Sequence, residues 1–319
     1  MALLAFVLLI PLAALAEGDV SFGAQVVRQP ADLIAEDGSV IGQAEYWNTR
    51  QNFIVELTAF DGWLFTDLQV YAGPNDLDDL PEKKGTPDFS KFPCKLEIDA
   101  RTNRVMVSCN LQDDLELSWG PDRTRLVMIH GDLVMGDAAG ELVLDAEGEE
   151  IRNDFHARPV VSSEFANSAT AVVPFGNHEY FITTFVHPQR GHFIDSPVGG
   201  VNYETPTNWG ITDGSGGFDY FPGEEVELKV GPVTLGTALA DKKITPLDIF
   251  ESSDTDDGRV INMARLLQSL DADAEPDSGI SITAEVVGCL DAAYTGLGLT
   301  AVDFASDAQV ESLIQGTIA

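Results

Sequence analysis

Positive charge is scarce in this chain. Its 319 residues hold 18 Lys and Arg against 52 Asp and Glu, a formal charge of -34. Such a surface repels phosphate backbones and anionic lipid heads over about a Debye length, roughly 8–10 Å at physiological salt, which argues against nucleic acid as a partner. The acidity suits cation binding or solubility in a saline extracellular medium. Catalytic signatures are also missing. No Ser sits in a Gly-x-Ser-x-Gly elbow, and the "DGSGG" run at 213–217 is a hairpin turn rather than a strand-to-helix corner. The Gly-rich turns lack the Lys and following helix of a phosphate cradle. The five histidines, His130, His156, His178, His187 and His192, show no helical or strand spacing that would converge them. Only His187 and His192 are near neighbours, so no zinc site is expected.

Long apolar runs are confined to the start. Residues 2–16, "ALLAFVLLIPLAALA", have signal-peptide length and end in Ala14-Leu15-Ala16, small residues at the positions signal peptidase requires. Cleavage after Ala16 is expected, placing the mature protein outside the cytoplasm: secreted, on the cell surface or in the periplasm. No later segment reaches the length of a bilayer-spanning helix, so no stable membrane span is expected after cleavage.

Cysteine is nearly absent, with three residues. Cys94 and Cys109 lie in "FPCKLEIDARTNRVMVSC", where antiparallel pairing about Arg101 and Thr102 faces Ile98 with Val105, Leu96 with Val107 and Cys94 with Cys109. One register satisfies both the apolar alternation and the thiols, so a hairpin with a cross-strand disulfide is expected. Cys289 falls in a helical pattern, where a small buried hydrophobe would serve.

The remaining patterning defines the architecture. At this length two domains are the prior expectation. From residue 19 to about 187, runs such as "NFIVELTA" and "RLVMIHGDLVM" alternate in hydropathy between turn signals, as in a β-sandwich. The acidic, Pro-containing stretch at 72–93 reads as a long exposed loop. Short Gly-bounded strands follow from about 189 to 244. After Thr245 the period becomes helical: "DGRVINMARLLQSL" aligns Val260, Met263, Ala264 and Leu267 on one face. The expected fold is mainly β, two β-sandwich modules with a C-terminal helical tail: a signal peptide at 1–16, modules at 17–188 and 189–244, and a tail at 245–319 packed on the second module.

Two stretches resemble known modules of exported bacterial proteins. Gly62-Trp63, Tyr71-Ala72-Gly73, Gly85-Thr86-Pro87 and Phe92-Pro93 resemble a module of bacterial secreted and surface proteins, which implies a β-sandwich without assigned catalysis. Asp195 to Val198, Tyr203 to Thr205, Gly210 to Asp213, Gly217 to Tyr220, Gly231, Gly236 and Thr245 to Asp248 resemble a module of bacterial, especially marine proteobacterial, lipoproteins and surface proteins. That resemblance implies a small prealbumin-like sandwich.

Two candidate sites remain. Asp271, Asp273, Glu275 and Asp277 alternate just past the expected helix, where carboxylates oppose the helix dipole and would gain from a hard cation. Calcium is the cofactor this run offers, although Pro276 and Ile282 stand where an EF-hand needs Gly and a bidentate acid. Trp209, beside Gly210 among polar residues, is the one Trp expected to be exposed for a ligand. The expectation is a noncatalytic exported surface or extracellular-matrix protein acting by binding or assembly, its partners a protein or glycan at the cell exterior or further copies of itself. The alternatives are a secreted carbohydrate-binding accessory protein and a secreted hydrolase using paired carboxylates.

Overall fold

Residues 27–119, 123–162, 167–274 and 278–318 are described by a computed structural model, which leaves the expected signal segment outside. Period-two alternation shapes the first part of the chain. β1 (Gln29–Ala35), β2 (Val40–Asn48) and β3 (Asn52–Ala59) form an antiparallel meander, followed by β4 (Trp63–Pro74) and the short pair β5 (Glu82–Lys83) and β6 (Thr86–Pro87). β7 (Cys94–Thr102), β8 (Arg104–Asn110), β9 (Thr124–Met135), β10 (Arg152–Pro159), β11 (Ala171–Phe175) and β12 (His178–Thr184) complete this half. Hydrogen-bonded neighbours run β7-β4-β9-β10-β1-β2-β3-β8, with β12 and then β11 branching from β9. The branch arises because β9 pairs with β4 along its length on one side. On its other side it meets β12 at 124–127 and β10 at 130–134.

The inward face of this path carries Leu33, Tyr46, Phe53, Val55, Phe65, Ile129, Phe155 and Phe181 among others, all buried. Each such side chain contributes about 1.5–3 kcal/mol by leaving water, which makes this core the main source of stability for the first half.

The ends of the path, β7 and β8, form a seam. The hairpin expected there is corrected: β7 takes its ladder from β4 and β8 from β3. The disulfide is nonetheless present, Cys94 to Cys109 with Cα atoms 5.8 Å apart. Alternation determines which face of a strand is apolar, not which neighbour takes its backbone hydrogen bonds. Cys94 and Cys109 therefore meet across the seam without a ladder, and the disulfide bridges two strands that share no hydrogen-bond pairing.

A second, smaller cluster lies on the opposite face of β4, β9 and β12, where Tyr71, Leu126, Met128 and Tyr180 meet Leu80 and Phe92. Leu80 and Phe92 belong to the stretch expected to be a solvated loop. Its acidic residues do face water, but these two anchors dock it on the sheet, a packing that the surrounding charge and Pro content conceal.

The rest of the chain builds a separate core. β13 (Gln189–His192), β14 (Val198–Gly199), β15 (Asn202–Glu204), β16 (Trp209–Ile211), β17 (Gly217–Tyr220), β18 (Glu225–Val230) and β19 (Val233–Leu239) precede α1 (Pro246–Ile249) and α2 (Gly258–Ser269). Then come β20 (Ile280–Ser281), α3 (Ala284–Gly296) and α4 (Asp307–Ile318). β16-β15-β18-β19 form one sheet, β13 pairs with β17, and β14 pairs in parallel with β20. Val226, Leu228 and Leu235 share a core with Met263, Leu266, Leu267, Leu290, Val310 and Leu313, so the helices complete this unit. Asp257 caps α2 by accepting the Arg259 N–H. Cys289 is exposed rather than buried, because α3 turns Leu290 and Ala293 to the core and leaves position 289 outside that stripe.

Candidate metal centre

Three neighbouring strands bring three histidines together. On β9, Val127 and Ile129 enter the main core, so His130 points to the opposite face with Leu126 and Met128. On β10, Phe155 and Ala157 are inward, which sends Asp154 and His156 outward, and the ladder sets His156 directly opposite His130. On β12, Phe181 is inward and Tyr180 outward, so His178 shares Tyr180's face. Just beyond the end of the β9–β12 ladder, the His178 ring comes within 5.3 Å of the His130 ring. Close strand approach beside the cluster depends on Gly131, where a Cβ would lie 2.6 Å from the Asp67 carbonyl and 2.8 Å from the Phe155 ring.

The resulting geometry is compact. One ligating atom each from His130, Asp154 and His178 lies within 4.8 Å of the others. His130 Nε2 is 3.6 Å from Asp154 Oδ2, and the His130 and His178 rings meet edge to face at 5.3 Å. His130 Nδ1 is 2.7 Å from Gln69 Oε1, and Phe89 stacks on the imidazole at 3.6 Å with a 12° interplanar angle. Asp154, His156 and His178 line a cleft of about 40 Å³, together with Glu36 and Asn177. That is room for a water or a small ion, not for an organic substrate. A larger open depression of about 280 Å³ beside the disulfide is lined by Lys95, Met106 and Asp114, and none of these belongs to the metal-capable cluster.

Electrostatics favours neutral His156 and His178 near an ionised Asp154. The imidazole of His130 holds the Asp154 carboxyl below its ordinary range, ahead of the opposing effect of burial. Burial pushes His156 and His178 below their usual value of 6.5, and for His178 the neighbouring His130 adds to the shift. His156 is buried, and its Nε2 makes no hydrogen bond. Its nearest charged neighbour is Glu179 at 3.5 Å, whose carboxylate accepts two hydrogen bonds from Arg158.

The expectation that the histidines would not converge is corrected: His130 and His178 come together with Asp154. His130, Asp154 and His178 are far apart in sequence, and only the order of the strands converges them. The available clue was the strand alternation itself, which puts each of these residues on the face opposite the core residues of its strand. The two histidines close in sequence do not converge on a site. His187 accepts from Arg50 at 2.9 Å, and His192 Nδ1 is 3.0 Å from the Ser215 carbonyl.

The other expected site residues stand elsewhere. Asp271 accepts the Ser281 N–H at 2.9 Å and Asp273 the Ser278 hydroxyl at 3.2 Å, so both serve their own turn; Glu275 and Asp277 lie outside the described residues. Trp209 is 46% exposed on β16, while Trp47 is buried. No family model, curated protein or solved structure matches the chain. No helix among the described residues is long and apolar enough to cross a membrane.

Proposed function

We propose that this is a noncatalytic exported bacterial protein of the cell surface or extracellular matrix that acts by binding or assembly. The observation that carries the reading is β16, an edge strand of its sheet whose Trp209 and Ile211 face solvent, 46% and 64% exposed. An edge strand offers unpaired backbone groups for strand addition, and large outward apolar side chains supply the contact area. The Cys94–Cys109 bond supports export, since disulfides form and persist in oxidising compartments.

Fractionation of cells producing the tagged full chain, followed by native pull-down and light scattering with and without Trp209→Ala and Ile211→Ser, tests the reading. Surface or medium localisation, with a partner or self-association lost in the double variant, is the expected result. A reduced cytoplasmic protein would overturn it. Trp209 also favours a second reading, a carbohydrate-binding accessory protein, in which the aromatic face stacks on a sugar ring. Glycan-array binding abolished by Trp209→Ala is its signature.

A further inference from the structure

We propose that His130, Asp154 and His178 form a binding site for a divalent transition metal of the zinc class. The proposal goes beyond the surface-binding reading and does not depend on it.

The ligand set decides the class of ion. Two imidazoles and one carboxylate match zinc, cobalt or nickel, whereas calcium and magnesium take oxygen ligands almost alone. The orientation of His130 adds to this. Gln69 Oε1 can only accept, so the 2.7 Å contact engages His130 Nδ1 and turns Nε2 to the other side of the ring. That nitrogen faces Asp154 Oδ2 at 3.6 Å. An amide oxygen that fixes the tautomer from the side away from the ion is the usual support of a metal-ligating imidazole.

The distances are compatible with an ion. Tetrahedral zinc with ligands near 2.0–2.2 Å sets those ligands roughly 3.4 Å apart. His130 and Asp154, at 3.6 Å, already have that spacing. The widest separation, within 4.8 Å, exceeds that spacing by up to about 1.4 Å, which the half-buried His178 and Asp154 side chains would close on binding. Phe89 shields one face of His130, and Asp154 and His178 also line the small cleft with Glu36, Asn177 and His156. His156 also lines that cleft, but its Nε2 lies 3.5 Å from Glu179 Oε2, so it stands beside the site rather than among the three ligands.

The test uses the full chain stripped with a chelator and titrated with zinc alone by calorimetry, with melting temperature as a second readout. Cobalt serves as the spectroscopic probe. Expected are one zinc per chain, a raised melting temperature, and a visible cobalt spectrum typical of low coordination number. Asp154→Asn and His178→Gln, both at half-buried positions, should each weaken zinc by about tenfold or more, and His192→Gln should not. Melting of each variant without metal, compared with wild type, separates lost ligation from lost folding. The absence of zinc binding by the wild type overturns the proposal. So does zinc binding unchanged in both site variants, which would place the ion on other carboxylates, and so does calcium acting as strongly as zinc.

Discussion

Arg50, at the β2–β3 turn of the first core, donates two hydrogen bonds to the carboxylate of Asp219 on β17 in the second, at 3.0 and 3.1 Å. The same guanidinium donates to His187 Nε2 at 2.9 Å and to the Pro188 carbonyl at 3.0 Å, so it joins both cores and the segment between them. Nearby, Arg28 stacks on Trp47 at 4.0 Å and reaches the Pro206 carbonyl, and the Trp47 indole donates to the Thr207 carbonyl. The contacts between the units are thus largely polar and specific.

Arg50→Ala should loosen this junction more than it weakens either core. Hydrogen bonds to charged groups contribute roughly 1.5–3 kcal/mol, discounted here because the Arg50 side chain is 31% exposed. Scanning calorimetry should show one cooperative transition separating into two, and a single unshifted transition would refute the role given to Arg50.

Reduction of the disulfide, or Cys94→Ser with Cys109→Ser, should destabilise the first core selectively. A bond closing a loop with 15 residues of sequence separation contributes about 3 kcal/mol, mainly by restricting the unfolded chain. Urea unfolding followed through Trp47 and Trp63 fluorescence, with and without reductant, measures the loss; an unchanged midpoint counts against the seam as a weak point.

Leu80→Ala and Phe92→Ala should release the stretch docked on the outer face of β4, β9 and β12. Each removes a buried anchor of a small cluster, at a cost of about 2–4 kcal/mol. Trypsin cleavage at exposed Lys83 and Lys84 should accelerate in both variants, with the main core still folded by near-ultraviolet circular dichroism.

Asp213 contributes a pH dependence to the second core. The Ser215 hydroxyl, then the backbone N–H groups of Gly217 and Ser215 and the Arg190 guanidinium, hold its carboxyl well below the ordinary 3.8. A depressed folded-state value stabilises above the unfolded value and is lost as pH falls through the folded one. With the Asp213 side chain half exposed and screened by water, Asp213→Ala should cost at most roughly 1 kcal/mol, constant from pH 7 to about 5, with the gap to wild type narrowing below about 3.8. Denaturant titrations across that range check it, and a gap that widens in acid would reverse the sign.

Much of this protein is written locally. Alternating apolar residues specify the strands of the first half. Turn chemistry bounds the short strands after Gln189, and the helical period after Thr245 predicts α2 within a residue or two. The facing of Cys94 and Cys109 is equally legible, because both lie on the inward parity of their strands. Exposure of Trp209 follows from its polar neighbours.

Strand order was not written locally, and the rest follows from it. Period-two patterning says which side of a strand is apolar but is silent on which strands become neighbours, since backbone hydrogen bonds are the same for every residue except Pro. Only the folded chain decided that β7 and β8 would be bound to β4 and β3 instead of to each other. The same tertiary choice put β12 and β10 in succession along one side of β9, and with them His178, Asp154 and His156 around His130.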